Sequence, residues 1–297
     1  MSKAPEQRSG FVSITGRPNV GKSTFLNAVL GQKVSIVAPK AQTTRNRVIG
    51  IKTLPHAQVI FVDTPGIHRP RHSLGAYMVK EAKAAIKDVD VVLLMVEPRR
   101  PTGDDAAVIR LLRNARKPVI LLINKSDTVK KPDLLPVMDE YRGLYDFDEV
   151  IPISALKGDG LGIVMEKTVE RLPPGPRFYP DDLVTDRLER FLVAEMVREK
   201  ILWYTEEEVP HSTAVEVVRW EEKEGGGIYI SANIYVEKEG QKRIIIGKSG
   251  QMLKKIGTAA RKEMEGLLGA RVFLELWVKV KKHWRTDRAA LTELGFE

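Results

Sequence analysis

The sequence GRPNVGKST, residues 16–24, decides how the first half of the chain is interpreted. It lies between the apolar run FVSIT and the segment FLNAVLG, which has the composition of a helix. Every fixed position of the pattern G-x-x-x-x-G-K-[ST] is present. Glycines allow such a loop to direct several backbone N–H groups at phosphate oxygens, and the helix after it offers its positive N-terminal end. This stretch therefore predicts a phosphate-binding loop between a strand and a helix.

The polar residues around this loop predict a site for Mg²⁺ and for the outer phosphates of a nucleotide. Lys22 would place its charge on those phosphates, and the hydroxyl of Ser23 would coordinate the metal. In DTPG, Asp63 would act on Mg²⁺ through water, and the N–H of Gly66 would contact the outermost phosphate. Thr44 of QTTRNR offers a second hydroxyl, with an ordinary polar loop as the alternative for that segment. The predicted catalytic residues are Lys22, Thr44, Asp63 and Gly66, and the predicted metal ligands are Ser23, Thr44 and Asp63.

The base is predicted from NKSD, residues 124–127, which follows the apolar run VILLI. Asp127 can accept two hydrogen bonds from guanine, whereas adenine would leave it unpaired at a cost of roughly 1–3 kcal/mol or more. Asn124 is expected to hold the loop and the base edge, Lys125 to cover one face of the ring, and the N–H of Ala155 to meet the guanine carbonyl. The predicted GTP- and GDP-binding residues are Gly16, Arg17, Pro18, Asn19, Val20, Gly21, Lys22, Ser23, Thr24, Asn124, Lys125, Asp127, Ser154, Ala155 and Leu156.

Composition and charge restrict the class of protein. The chain has 297 residues, which favours two domains, and 43% of them are hydrophobic, which favours packed cores. It contains no cysteine, which excludes disulfides and thiolate metal sites and suits a cytoplasmic protein. No signal-peptide pattern or membrane-spanning apolar run is visible, so we expect a soluble protein, at most peripheral to a membrane. The net charge is +9, and residues 238–285 alone hold 13 Lys or Arg and 4 Glu, which favours a polyanionic partner.

Two regions with different patterns follow each other along the chain. Short apolar runs alternate with helical patterns over the first 160 residues, which predicts a mostly parallel sheet with ligands at the carboxyl ends of its strands. PPGPRFYPDD then resists regular structure, and a helix is predicted over 186–203. The remaining order is strand, strand, helix, helix, strand. The predicted boundaries are a flexible tail at 1–9, a nucleotide-binding domain at 10–172, a linker at 173–185 and a second domain at 186–297.

The second domain contains GKSG, residues 247–250, between two helical segments. A G-x-x-G loop in this order of elements is the arrangement of a prokaryotic-type KH fold, which clamps single-stranded nucleic acid. The run KVKKHWR near its end adds positive charge, with a solvated surface as the alternative interpretation. The predicted RNA-binding residues are Gly247, Lys248, Ser249, Gly250, Lys254, Lys281 and Lys282.

Taken together, these motifs resemble those of the translation-factor-related GTPases and, more narrowly, of the Era family. GRPNVGKST, AQTTR, DTPG, NKSD and SAL occur in order, EGQKRIIIGKSGQMLKKIG and LELWVKVKKHW resemble the family's RNA-binding domain, and the resemblance covers essentially the whole chain. It implies an α/β P-loop GTPase domain with a mostly parallel sheet, followed by an α+β type II KH domain. It also implies binding near the 3′ end of small-subunit (16S) ribosomal RNA, assistance in 30S subunit assembly, a monomer, and peripheral contact with the cell membrane. The alternative function is a regulatory GTPase whose basic surface binds anionic membranes.

The expected hydrolysis rate follows from one position after DTPG. Ras-like proteins use a glutamine there to orient the attacking water, but this chain has Ile67, so slow intrinsic hydrolysis is expected. A neighbouring polar or backbone group can replace the glutamine. Alternatively, K⁺ can supply the missing positive charge, because related potassium-activated GTPases have an asparagine at the position of Asn19. The other interpretation is that Asn19 only tolerates a tight backbone conformation. His68 is interpreted as an ordinary loop residue, with a general base as the alternative.

Overall fold

The computed structural model describes residues 6–70 and 72–296. They group into two compact units, the first containing 6–35, 44–70 and 78–186, and the second containing the described part of 36–43, 71–77 and 187–297. The predicted tail 1–9 lies partly outside the described residues. The predicted domain boundaries stay a prediction, although the division after residue 186 falls next to one of them.

The first unit is built on a six-stranded sheet. Its elements in chain order are β1 (Arg8–Gly16), α1 (Lys22–Leu30), β2 (Val48–Leu54), β3 (Ala57–Asp63), α2 (Ser73–Lys87), β4 (Val91–Val96), α3 (Gly103–Leu112), β5 (Val119–Ile123), α4 (Lys131–Arg142), β6 (Glu149–Pro152) and α5 (Leu161–Arg171). The strand order is β2-β3-β1-β4-β5-β6, and only the β2–β3 pair is antiparallel. The predicted mostly parallel sheet is therefore confirmed.

Burial explains why the inner strands of this sheet have continuous apolar sequences. Every residue of β3, β4 and β5 is buried, because helices cover both faces of a parallel sheet. β2 was not predicted. It is an edge strand with partly exposed residues, so its sequence VIGIKTL lacks the run of buried residues that marks the inner strands. The segment predicted to be a linker belongs to this unit, since Ile51 donates its N–H to Val184 and Gln58 donates to Tyr179.

The second unit has the predicted order of elements. After 187 it contains α6 (Glu189–Tyr204), β7 (Ala214–Lys223), β8 (Gly227–Val236), α7 (Glu239–Ile246), α8 (Gln251–Leu268), β9 (Arg271–Val280) and α9 (Arg288–Glu293), which adds a short terminal helix to the prediction. β7 and β8 are antiparallel, whereas β8 and β9 are parallel. Apolar residues of α6 and α8 form one core with the inner face of this sheet. Among the described residues, no helix is long and apolar enough to cross a membrane.

Candidate nucleotide-binding site and GxxG cleft

The phosphate-loop sequence forms a tight turn between β1 and α1. Gly21 has a φ of +102°, and a Cβ atom there would lie 2.2 Å from Nδ2 of Asn124. A glycine is therefore required both by the backbone conformation and by the close approach of Asn124 in the NKSD loop. Asn19 has a φ of +65°, a left-handed conformation that asparagine adopts more readily than most residues.

Lys22, the first residue of α1, is buried and directed into this turn. Its Nζ donates hydrogen bonds to the carbonyl oxygen of Arg17 at 3.0 Å and to that of Gly16 at 3.4 Å. Burial lowers the pKa of Lys22 to about 8, and the carboxylate of Asp63 opposes this shift. A phosphate group beside the ammonium would favour its charged form, so this lysine is suited to bind an anion.

The predicted metal ligands converge at the start of α1 and the end of β3. The hydroxyl of Ser23 donates to Oδ2 of Asp63 at 2.7 Å and lies 2.9 Å from the hydroxyl of Thr44. Ser35, which the sequence did not indicate, also donates to this carboxylate at 2.9 Å. These four side chains bring together the oxygen atoms that Mg²⁺ prefers.

The surroundings of the Asp63 carboxylate indicate whether a cation fits the predicted metal site. The residue is fully buried, and its Oδ1 has no hydrogen-bond partner among the described residues. Burial raises the pKa of Asp63 despite the opposing effects of Lys22 and of the three hydroxyl donors. A cation near Oδ1 would satisfy this atom and stabilise the charged carboxylate, so the residues fit Mg²⁺.

Asn124 connects three loops at the carboxyl edge of the sheet. Its Nδ2 donates to the carbonyl oxygen of Val20 at 2.8 Å, and its Oδ1 accepts from the N–H of Ala155 at 2.9 Å. The prediction that Asn124 holds its loop agrees with this geometry. The predicted contact between Ala155 and the guanine carbonyl stays a prediction, because here that N–H is directed at Asn124.

The neighbouring residues Lys125 and Asp127 are oriented by separate partners. Lys125 has a left-handed backbone with a φ of +63°, and its Nζ lies 2.6 Å from Oε1 of Glu97. A hydrogen bond from Ser154 is the main cause that holds the pKa of Asp127 below its ordinary value. Asp127 is therefore a carboxylate at neutral pH and acts as an acceptor only.

Glu97 is a residue that the sequence interpretation missed. Besides Lys125, it pairs with Arg17 of the phosphate loop at 3.5 Å, and Arg17 in turn donates to the buried Asp105 at 2.6 Å. This network links the phosphate loop to the NKSD loop and to the start of α3. Its position directly after β4, at the edge where ligands bind, is the signal that could have identified Glu97.

The DTPG loop lies against the phosphate loop. A Cβ atom on Gly66 would lie 2.5 Å from the backbone nitrogen of Pro18, so only glycine allows this approach. Ile67 is buried in the apolar core of the first unit and donates its N–H to Gly16 at 3.1 Å. His68 turns back to the carbonyl of Gly66, with its Nδ1 at 2.8 Å. The side chain of Ile67 has no polar group that could orient a water, and Nδ1 of His68 is engaged by Gly66.

The GKSG loop of the second unit borders an open cleft. Gly247 and Gly250 have φ values of +72° and +78°, and the side chains of Lys248 and Ser249 between them are exposed. The cleft has a volume of about 560 Å³ and runs between α8 and β9. Its lining includes Gly250, Leu253, Lys254, Gly257, Thr258, Arg261, Val272, Leu274 and Leu276.

Two of the predicted RNA-binding lysines lie outside this cleft. Lys281 and Lys282 follow the end of β9, and neither belongs to the cleft lining. Lys281 pairs with Glu293 of α9. Arg261 lines the cleft instead, although the sequence analysis did not single it out. Its position two helical turns after Lys254, on the same face of α8, is the signal that was available.

Comparison with known proteins identifies the family. A family model described as "50S ribosome-binding GTPase" matches residues 11–125, and a KH domain model matches 208–285. The chain is 51% identical to "GTPase Era" of Lacticaseibacillus paracasei over 292 residues, which cover 98% of this chain and 97% of the relative. The chain belongs to the GTPase Era family. It is also 52% identical to GTPase Era of Geotalea daltonii over 290 residues, covering 97% and 98% of the two chains.

Solved Era structures have the same fold over the whole chain. One is a crystal structure of Era in complex with MgGDPNP and nucleotides 1506–1542 of 16S ribosomal RNA. Another is a variant of Era from Aquifex aeolicus bound to GDP·AlF4⁻. Each has a TM-score of 0.95 and 43% identity, and covers 98% of this chain and 99% of the solved chain. The sequence-based resemblance and the predicted fold class are thus confirmed, and the chain is a GTPase that uses GTP, GDP and Mg²⁺.

Proposed function

We propose that this Era-family GTPase binds small-subunit ribosomal RNA through its KH unit and assists assembly of the 30S subunit, with an RNA affinity that depends on the bound nucleotide. The observation that carries the proposal is the open cleft beside the exposed Lys248 and Ser249, within the basic segment 238–285, which holds 13 Lys or Arg and 4 Glu. The RNA complex of the related Era supports the class of partner. Phosphate contacts from such a surface supply affinity, and contacts in the cleft select the bases.

The nucleotide would be held by residues from four loops. Lys22 and the backbone of the phosphate loop would bind the phosphates, and Asp127 would accept from the guanine N–H groups. Ser23, Thr44 and Asp63 would hold Mg²⁺, which supplies positive charge against the charge that develops on the transferred phosphoryl group. Gly66 would contact the outermost phosphate, so that the segments after Ser35 and after DTPG respond to its loss.

A route from the nucleotide to the KH unit begins in the segment 36–43. This segment belongs to the second unit, while Thr44, the proposed metal ligand, directly follows it. The N–H of Val37 donates to Glu199 at 2.8 Å, and its carbonyl accepts from Nε1 of Trp203 at 2.9 Å. Lys40 also donates to the carbonyl oxygen of Thr205. A change at Thr44 on loss of the γ-phosphate would therefore reach α6 through the segment that directly precedes Thr44 in the chain.

Buried charged residues continue the route from α6 to α8. Arg198 donates to the carbonyl oxygens of Gln42 and Thr43, and both Arg198 and Glu199 are 2% exposed. Lys200 pairs with Glu199 at 2.8 Å and with Glu263 on α8. Because α8 begins directly after the GKSG loop, a shift of α6 would change how this loop meets RNA. Removing one partner of a buried ion pair costs about 3–5 kcal/mol of folding free energy, so these pairs are costly to break one residue at a time.

The coupling can be weakened without breaking those buried pairs. The double variant Lys40→Met and Trp203→Phe removes two hydrogen bonds between the segment 36–43 and residues 203–205, and it keeps similar side-chain shapes. Each hydrogen bond contributes about 0.5–1.5 kcal/mol, so the ratio of RNA affinities in the two nucleotide states should fall about fivefold or more towards one. RNA affinity is measured by filter binding with GDP and with a non-hydrolysable GTP analogue.

A matched control keeps this experiment specific. Lys87→Met with Trp220→Phe makes the same two chemical changes outside the segment 36–43 and α6, and it should leave the ratio unchanged. An undiminished ratio in the Lys40→Met and Trp203→Phe variant would remove the segment 36–43 from the coupling route.

Potassium is proposed as the substitute for the missing glutamine. Asn19 lies exposed in the phosphate loop, and its left-handed backbone also fits the purely conformational interpretation. If Asn19 helps hold K⁺, hydrolysis should be several-fold faster in KCl than in NaCl at equal ionic strength and saturating Mg²⁺. Equal rates in the two salts, measured by phosphate release, would contradict the role of K⁺ and leave Asn19 with a conformational role only.

A monomeric, cytoplasmic protein with peripheral membrane contact is the arrangement we propose for the cell. The basic composition of residues 238–285 is the observation that favours contact with anionic lipid. Sedimentation with phosphatidylserine vesicles, in the presence and absence of RNA, separates this contact from RNA binding. Retention of the protein by vesicles of neutral lipid alone would contradict the electrostatic explanation.

A further inference from the structure

The outer face of the KH sheet presents large aromatic side chains to solvent. β8 and β9 pair in parallel with Tyr229 beside Phe273, Ser231 beside Glu275 and Asn233 beside Trp277. Alternate residues of both strands lie in the core of the second unit, so these pairs belong to the opposite face. Phe273 and Trp277 are each 56% exposed, on the edge strand of the sheet. We call Tyr229, Phe273 and Trp277 the aromatic face.

A single carboxylate fixes two of these rings. Glu275 accepts a hydrogen bond from the hydroxyl of Tyr229 at 2.6 Å and another from Ser231 at 3.0 Å. Tyr229, then the indole N–H of Trp277, then Ser231 are the donors that hold the pKa of Glu275 below its ordinary value. Exposed aromatic side chains that are fixed in this way lose little conformational freedom when a ligand stacks on them.

Cationic side chains lie over the same rings. Nζ of Lys223 is 5.4 Å from the ring centroid of Tyr229 and 5.1 Å from that of Phe273. The guanidinium carbon of Arg219 is 5.3 Å from the ring of Tyr229. Positive charge next to stacking surfaces is the combination by which proteins bind single-stranded nucleic acid.

The other carboxylates on this face have partners of their own. Glu216 accepts a hydrogen bond from Tyr235 at 2.8 Å, and Glu221 pairs with Arg219 at 2.6 Å. Arg219 offsets the charge of Glu221, whereas Glu216 and Glu275 accept from hydroxyl groups and stay charged, so Lys223 and Arg219 must oppose the repulsion that these carboxylates exert on phosphate groups.

The aromatic face is continuous with the GxxG cleft. Tyr229, Phe273 and Glu275 line the same cavity as Gly250 and Lys254. Trp277 lies four residues beyond Phe273 on β9, roughly 13 Å along the strand. A strand of RNA that leaves the cleft over the edge of β9 would therefore meet the aromatic face next.

We propose that the aromatic face is a second contact surface for single-stranded RNA, on which bases beyond those in the GxxG cleft stack against Phe273 and Trp277. The inference rests on the proposed function, because the cleft must first hold RNA. Lys223 and Arg219, which lie over the rings of Tyr229 and Phe273, would attract the RNA phosphates, and stacking accepts any base because every base has a π face. A protein partner is the competing occupant of this face. Its continuity with the cleft and the cations over its rings favour RNA.

Nested RNA fragments test the proposal with the full chain. They come from the 3′ end of 16S ribosomal RNA and range from about four nucleotides, the length that a KH cleft clamps, to about twelve. We expect affinity to rise with length in the parent. Trp277→Ala should lower the affinity for the longest fragments about 5- to 150-fold, as expected for the loss of one stacked base, and leave the shortest fragment unaffected. Trp277→Phe should retain most of the affinity for long fragments because it keeps an aromatic ring.

The controls separate this inference from the proposed function. Phe178→Ala removes a ring that is 55% exposed in the first unit, and it should affect no fragment. Lys248→Asp with Ser249→Asp should weaken binding of every fragment. If Trp277→Ala and Phe273→Ala bind the long fragments as tightly as the parent, the aromatic face is not an RNA surface, and the proposed function still stands. If the parent binds no fragment, the proposed function itself is wrong.

Ultraviolet crosslinking of the parent provides a second measurement that needs no variant. Crosslinks from long fragments to Trp277 or Phe273, located by mass spectrometry, are expected. Crosslinks confined to the GxxG loop and α8 would contradict the proposal and favour a protein partner as the ligand of the aromatic face.

Discussion

Asp127→Asn is expected to convert the protein from a guanine-nucleotide to a xanthine-nucleotide binder. The Asp127 carboxylate is charged at neutral pH and accepts hydrogen bonds only, which suits the two N–H donors of guanine. An asparagine presents its NH₂ group to one of these donors, whereas the extra carbonyl of xanthine can accept from it. Hydrogen bonds to charged groups contribute about 1.5–3 kcal/mol each, so GTP affinity should fall about 100-fold or more.

Competition among GTP, XTP and ATP for a fluorescent guanine nucleotide measures this change. Asp133→Asn is the matched control, because Asp133 is an exposed residue in the first turn of α4 and should leave the order of preference unchanged. A variant at Asp127 that still prefers GTP to the same extent would refute the role of this residue in recognising the base.

Lys248→Asp with Ser249→Asp is expected to abolish RNA binding and to leave GTP hydrolysis nearly intact. Both side chains are exposed between glycines that allow the RNA backbone to approach closely, so the substitutions place two carboxylates against phosphate groups. Like-charge contacts at an interface cost several kcal/mol, which predicts a loss of about 100-fold or more in RNA affinity.

The control for this variant must match its change in net charge. Lys87→Asp with Asn114→Asp makes the same change on exposed residues of the first unit, and at fixed salt it should bind RNA nearly as the parent does. Filter binding and phosphate release are measured on all three proteins. Full RNA binding by the Lys248→Asp and Ser249→Asp variant would show that the GKSG loop is not the RNA clamp.

The residues predicted for the nucleotide site have positions that are set by local geometry. Asp63 ends β3, Asn124 directly follows β5, and Lys22 follows the loop after β1, so all three lie at the carboxyl edge of the sheet, where neighbouring strand ends must converge. The sequence pattern therefore contains both the chemistry and the position. The same holds for the GKSG loop, since the order of elements around it specifies one fold.

What could not be predicted depends on packing between distant parts of the chain. Glu199 receives the N–H of Val37 across 162 positions, and no periodicity along the sequence indicates that pairing. Ser35 reaches Asp63 only because of the path of the loop after α1. The hydrogen bond from Ala155 to Asn124 is of the same kind, because backbone N–H groups have no signature in the sequence.

If the bound nucleotide controls RNA affinity, nucleotide binding and RNA binding must be linked reciprocally. We expect RNA affinity to differ between the complex with GDP and the complex with a non-hydrolysable GTP analogue by about 5- to 150-fold. The same factor must appear when the affinities for the two nucleotides are compared with and without saturating RNA. Both halves of the cycle are measured by isothermal titration calorimetry on the full chain at one salt concentration. Agreement of the two factors supports a GTP-controlled RNA-binding protein, whereas identical RNA affinity in both nucleotide states would contradict it.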